Sequence, residues 1–441
     1  MRVKQLWFWS AVIALLPCCS VFGQLRGEKP WGQAWYYYFV PPNGGFVYCD
    51  FVNKNEKTIK IGGFLEPCRW GDERVRSQWG DQRVQIIHGD VVLPSKVMVR
   101  KRNELKNEDT AVGEFTITVI DNYAFKNCKK LTSITLPNTV NEVKKNAFDG
   151  CSNLTTINLP STLSGLDLSF ASGCENLEAV NKGKGVQCGL YSVDGLLCDN
   201  GEVVFCPLGY SSSITIPAGV TAIGEGVFKG HGRLLSVTVP QGVTIKKGAF
   251  MDCANLRDVT LCEGVKAIGE DAFSGCTALE HISIPGSVER LETQAFKGCL
   301  SLQQATFNPG IKIVGTRAFA DCGSLREAAL PKGLTDVFNE AFANCFALER
   351  LTFAEGVRYI GSDAFSFCSA LREISFPSTM EYINTKAFMG CTALEKVEFN
   401  PQIKEIERYA FFGCSSLTTA NVPKQAKIYD ETFLNCNNLS R

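Results

Sequence analysis

Histidine is nearly missing from this chain. His88, His231 and His281 are the only three in 441 residues. That leaves little material for a catalytic triad or a zinc site built on imidazole. No Gly-x-Ser-x-Gly, no His-Glu-x-x-His and no phosphate-binding Gly-rich loop occurs. An excess of one charge is missing too: Lys plus Arg and Asp plus Glu both number 45. Proteins that grip nucleic acid or an anionic membrane surface carry a basic excess or a polybasic run, so neither partner is expected. After the first 23 residues no apolar run is long enough to span a bilayer, and no membrane span is expected in the mature chain. No cofactor, metal or catalytic constellation is read.

What is plentiful is cysteine, 20 residues in all, and it keeps a period. From Cys253 through Cys276, Cys299 and onward to Cys414 a cysteine recurs every 23 residues, and Cys128, Cys151 and Cys174 keep the same interval. His231 takes the slot 22 residues before Cys253, and Cys436 follows Cys414 by 22. Three residues after each slot stands a leucine, from Leu131 to Leu439, thirteen times without a miss. A fixed period of this length is the signature of a solenoid, whose repeats each contact only their neighbours.

Each repeat reads the same way. After Cys-x-x-Leu comes an alternating run such as Leu371, Ile374, Phe376, which is the pattern of a half-buried strand. Pro377 ends it, having no amide to donate. One strand per repeat would stack on the next in a parallel sheet, about fourteen strands along an arc of about 65 Å. The return leg carries an apolar residue five before each Phe, for example Ile360, Ile383, Ile406 and Ile428, and the Phe points inward to stack on the Phe of the next coil. The preceding stretch, such as Gly361, Ser362 and Asp363, is expected to cap a short helical turn.

The organisation is in three parts. Residues 1–23 read as a signal peptide: Arg2 and Lys4 at the start, an apolar segment, and cleavage after about Gly23. A lipoprotein anchor at Cys18 or Cys19 is disfavoured because Pro17 precedes the first of them. Residues 24–83 lack the repeat and read as a β-rich N-terminal cap. Its aromatic cluster includes Trp31 and Trp35, residues able to bind a sugar or, more simply, to pack on the first coil. Residues 84–441 are the solenoid, the first repeat interrupted by a charged hairpin at about 99–113 that is expected to protrude. A second insert at about 181–213 carries Asp194-Gly195 and Asn200-Gly201, turn formers that mark a β-hairpin. The last repeat stops at Leu439, halfway through; a ragged end, completion by a partner chain and truncation stay open.

The cysteine ladder reads as small buried side chains in a tight bend, since parallel inward-pointing thiols would each compete for two partners. Better disulfide candidates are Cys49 with Cys68, and two of Cys188, Cys198 and Cys206. The exposed strand positions form columns. One runs Thr238, Thr260, Ser283, Thr306, Ala329, Thr352, Ser375; a second Glu327, Arg350, Glu373, Lys396; a third Arg326, Glu349, Arg372, Glu395. Alternating sign between neighbours serves cross-strand pairing, and the same columns offer a mixed-charge surface for a protein. Arg326, Arg350, Arg372, Lys396, Glu327 and Glu373 are therefore the candidate binding residues on the repeats, with Trp31 and Trp35 in the cap.

The repeat, Leu-x-x-Ile-x-Leu-Pro followed by Ile-x-x-x-Ala-Phe-x-x-Cys-x-x-Leu, resembles the BspA-like, or Treponema-type, leucine-rich repeats over residues 84–439. The resemblance implies a right-handed α/β solenoid with its parallel sheet on the concave face and short helical or irregular convex segments. It also implies a secreted or cell-surface protein that adheres to an extracellular protein of a host or another cell. It supplies no ligand-contact residues, and no carboxy-terminal anchoring module is read. The expected function is thus a non-catalytic binding scaffold. The alternatives are a structural surface protein that associates with itself, carbohydrate binding by the N-terminal aromatics, or, least favoured, glycoside chemistry by Asp50, Glu66, Asp72 or Glu73 in a region too small for an enzyme core.

Overall fold

A computed structural model describes residues 35–39, 47–53, 57–61, 89–103, 108–183 and 189–439. One coil shows how the sequence builds the rest. Phe273, Cys276 and Leu279 are fully buried in the turn that opens it. The strand His281–Ile284 alternates exposed and buried, and Pro285 stops it. Val288 turns the chain inward, and the two-residue strand Arg290–Leu291 buries Leu291. Gln294 then turns left-handed, at φ 59°, and Ala295 and Phe296 begin the next coil. The long strands pair in parallel with their neighbours, His281 to Gln304 and Ile284 to Phe307. The short strands make a second parallel sheet, which runs from Ala222–Ile223 to Glu405–Ile406 in register. The solenoid therefore has two sheet faces, where the sequence reading anticipated one.

The expected helical segments are absent: among the described residues the turn edge contains no helix. The reason lies in where the amides point. Ala272, Ser274 and Cys276 donate to carbonyls three residues back, at 3.1–3.2 Å, while Phe273 and Gly275 between them donate to Ala295 and Lys297 of the next coil, both at 2.8 Å. A helix would need consecutive amides to stay within the coil. Two left-handed residues per coil enforce the alternation, here Asp271 at φ 54° and Gly275 at φ 74°. Asp363, expected at a helix cap, is one of them, at φ 56°.

The phenylalanines stack as expected. From Phe228 to Phe411 successive rings are 4.9–5.2 Å apart and within 9° of parallel. Phe170, where Phe and Ala are exchanged in order, meets Phe148 edge-on at 85°. Ile428 departs from its column: it is exposed, with a coil on only one side of it among the described residues.

Both inserts are woven into the solenoid. The strands Lys96–Asn103 and Glu108–Ile120 form the charged hairpin. Instead of protruding, its first strand pairs with Trp35–Phe39 and its second with Thr58–Ile61. With Val47–Asn53 between these two, the five strands close into a ring. The second insert makes the strands Leu190–Val193, Leu196–Asp199 and Glu202–Phe205, turned by Asp194-Gly195 and Asn200-Gly201, all four at positive φ. The third strand joins Ala222–Ile223 in parallel. Leu197 and Phe205 face the core built by residues 61–180, whereas Leu196, Cys198 and Val203 face the core that runs on to Cys436. The insert is thus a partition between two hydrophobic cores. The Lys182 ammonium is buried at this joint, with the carbonyl of Leu190 at 3.0 Å and those of Ser161 and Gly183 at 3.4 Å.

Candidate binding surface

The long strands turn every second side chain outward, and strand pairing fixes what stands beside what. Thr238 lies opposite Thr260, Ser283 opposite Thr306 and Ala329 opposite Thr352. The charged column is in register too, Glu327 with Arg350 and Glu373 with Lys396. Neighbouring strands in such a sheet lie about 4.8 Å apart, so within each run of paired strands these side chains form a mostly polar strip. The strip is in two ladders, one from Ser213–Thr215 to Arg350–Phe353 and one from Glu373–Ser375 to Thr419–Ala420.

Arg350, Glu327, Glu373 and Lys396 all stand on the long strands. Arg326 and Arg372 stand one residue before their strands, at the lip where the turn edge meets the sheet, and both are exposed. The expected cross-strand pairing is realised selectively. Arg350 donates to Glu327 at 2.9 Å, and Arg372 stands 3.9 Å from Glu395. Lys396 instead reaches along its own strand to Glu398, at 2.5 Å, because residues two apart on a strand share a face. Trp31 lies outside the described residues, as do Glu66, Asp72, Glu73, Cys68, Cys188 and His88; of Trp35, Cys49 and Asp50 only the strand backbone is described.

Among the described residues no group of three or more His, Cys, Asp and Glu side chains is placed to hold a metal ion. The cysteines from Cys128 to Cys436 whose side chains are described are free thiols. Cys198 and Cys206 are not joined to each other; both are packed in the larger core, and burial pushes the Cys198 thiol up to about 11. His281 is exposed on the strand face, and His231 is buried in the ladder. Its Nε2 lies 3.1 Å from the carbonyl of Pro207, while its Nδ1 is buried without a partner. Burial lowers its pKa.

Two features escaped the sequence reading. The thiols are hydrogen-bond donors: Cys276 Sγ reaches the carbonyl of Phe250 in the preceding coil at 3.2 Å, and the same bond recurs along the ladder. The period placed these residues, but only coordinates show what each sulfur touches. The short-strand face also carries an ion network. Lys404 and Arg358 both bond Glu381, at 2.6 and 2.8 Å, and hold its carboxyl below the usual range. Its members are 46 residues apart, Arg358 to Lys404, but adjacent once the coils stack.

This geometry, stacked parallel strands closed by a turn edge with Phe and Cys ladders inside, defines a β-solenoid of the leucine-rich repeat class. The chain belongs to the BspA-type leucine-rich repeat family: residues 108–189, 201–326, 243–372 and 312–440 match the BspA type leucine rich repeat region. No curated protein sequence matches it. Among solved structures it is similar to a leucine-rich repeat protein from Bacteroides ovatus, with 22% identity and a TM-score of 0.55 over 87% of this chain and 97% of that one. A leucine rich cell surface protein from Faecalibacterium prausnitzii matches with 21% identity and a TM-score of 0.36 over 94% of both chains. The pneumococcal vaccine antigen PcpA matches with 17% identity and a TM-score of 0.36 over 74% of this chain and 93% of that one. The first of these shares the fold; the likeness of the other two carries no argument.

Proposed function

We propose that the chain is a non-catalytic scaffold, secreted or displayed at the cell surface, that recognises an extracellular protein of a host or another cell. The observation that carries this reading is the long-strand face, a strip of mixed charge held in register within each of its two ladders. A rigid extended surface suits a protein partner: its order is settled before binding, so little entropy is lost on docking. Arg326, Arg350, Arg372 and Lys396, with Glu327 and Glu373, are the residues assigned to contact it. The N-terminal leader, with its basic start and apolar segment, supports export. No helix of the described residues is long and apolar enough to cross a membrane.

The test is binding of the chain from Gln24 to Arg441 to an array of matrix proteins, serum proteins and glycans. A saturable protein ligand, lost when the repeats are deleted and kept without the N-terminal region, is the expected result. A glycan hit abolished by changing Trp31 and Trp35 would move recognition to the N-terminal region and contradict the assignment.

A further inference from the structure

The residue before each ladder cysteine occupies a left-handed position, and its identity is constrained accordingly. Asp252, Gly275, Gly298, Asp321, Asn344, Gly390 and Gly413 fill it in successive coils, each at positive φ. Such residues adopt that conformation most readily, although the other left-handed position of each coil takes larger side chains such as Arg317, Glu340, Lys386 and Tyr409. Phe367 breaks the rule: it stands in the same slot at φ 60°, and it is 43% exposed. One coil earlier Phe346, directly after Cys345, is 54% exposed. The two rings splay toward opposite neighbours. A Cβ on Gly390 would lie 2.7 Å from the Phe367 ring, and one on Gly323 would lie 3.7 Å from the Phe346 ring, so each ring lies over a glycine. Between them the surface is small and uncharged, with Ala347, Ser369 and Ala370. Both rings lie on the surface rather than in the core, and paired exposed aromatics are the residues that anchor protein interfaces.

The charges bordering the pair say what covers it. At the lip beside it the order is Arg326, Glu349, Arg372, Glu395, all exposed. Reversed, this series is its own complement. Two copies laid edge to edge with their axes opposed set Arg326 against Glu395 and Glu349 against Arg372. The two-fold axis of that arrangement passes between the coils of Cys345 and Cys368, and so between Phe346 and Phe367. It brings Phe346 to the level of Phe367 of the partner subunit, and the reverse, as an isologous interface requires. An uncharged aromatic centre within a charged rim is also the anatomy of protein interfaces. The rim has no basic excess to suit an anionic lipid or a nucleic acid, and the centre offers few polar groups to a glycan.

We propose that this turn edge is a homodimer interface, centred on Phe346 and Phe367, through which two solenoids pair antiparallel. Its centre lies off the long strands and does not rest on the function assigned there; the rim shares Arg326 and Arg372 with that assignment, so Phe346→Ser and Phe367→Asn, which touch neither, tell the two apart. The test is size-exclusion chromatography with light scattering on the full purified chain, across dilutions up to about 100 µM. The expected result is a dimer whose dissociation constant rises about tenfold or more in Phe346→Ser and in Phe367→Asn. Phe367→Asn also raises the thermal midpoint by about 2 °C, since Asn suits the left-handed slot; a residue with a merely structural role would lower it. Glu349→Arg and Arg372→Glu each weaken the dimer, and the double exchange restores it. A monomer throughout that range, or a dimer indifferent to both Phe variants, overturns the interface. A double exchange no better than its single variants overturns the antiparallel arrangement.

Discussion

The thiol of Cys368 donates to the carbonyl oxygen of Phe342, 3.4 Å away in the preceding coil. That carbonyl already accepts the amide of Cys345 in its own coil, also at 3.4 Å, so the sulfur occupies its second lone pair. The bond ties one coil to the next at the tightest bend of the chain. Cys368→Ala should remove it and leave a small void, costing about 1–2 kcal/mol. Urea unfolding of the variant and the parent chain measures this; an unchanged midpoint would reduce the cysteine to a space filler.

The same thiols make the fold sensitive to alkali. Burial pushes Cys391 up to about 12 from an ordinary value of 9.0, and Cys253 to about 12 as well. A thiol whose pKa is raised in the folded state favours that state fully below the unfolded value. The contribution is lost as pH climbs through the folded one. Thermal midpoints should therefore decline from about pH 9 toward pH 12, and Cys391→Ala should flatten part of that decline.

At acid pH the sensitive point is His231. Its folded pKa is lowered by burial, so the stability it contributes is present above the unfolded value of 6.5 and lost as pH falls through the folded value. Its Nδ1 has no partner to receive a proton's charge. His231→Gln keeps a donor near the Pro207 carbonyl and removes the titration. The gap in thermal midpoint between parent and variant should shift in the variant's favour between pH 7.5 and pH 5, by differential scanning fluorimetry.

Phe296 is fully buried and sandwiched between Phe273 and Phe319, both at 5.2 Å. Phe296→Ala should cost about 3–5 kcal/mol. Because a solenoid is held by nearest-neighbour interfaces, the loss should be local. Hydrogen exchange should accelerate first in the coils on either side, with the first core, around Phe125 and Phe148, little changed.

Much of this molecule is legible in the residue period. The buried positions Cys276, Leu279, Ile282 and Leu291 are fixed by spacing alone, because every coil must repeat the environment of the one before it. The turn edge was misjudged for a physical reason. Spacing cannot tell whether the Phe273 amide bonds within its own coil, as in a helix, or to Ala295 of the next. The signal was present nonetheless: Gly, Asn and Asp recur immediately before the cysteine, and these are the residues that accept positive φ. The inserts were harder. Asp194-Gly195 and Asn200-Gly201 announced their turns, but nothing local reveals that Leu197 and Leu196 would face two different cores. Among the candidate contact residues, the columns of Glu327, Arg350, Glu373 and Lys396 follow from the period, whereas the turn of Lys396 toward Glu398 depends on rotamers no pattern records.

The assigned function rests on Arg350 and Arg372. Arg350 is exposed and its bond to Glu327 joins two exposed side chains, a kind of pair worth about 0.2–1 kcal/mol, so its loss should leave the fold intact. The decisive measurement is the affinity of a captured protein ligand for the parent chain against the Arg350→Ala, Arg372→Ala double variant, with Phe346→Ser as the control for a weakened dimer, by titration calorimetry on samples of matched thermal midpoint. A loss of about tenfold or more places recognition on the long-strand face. An affinity unchanged within twofold would contradict that placement.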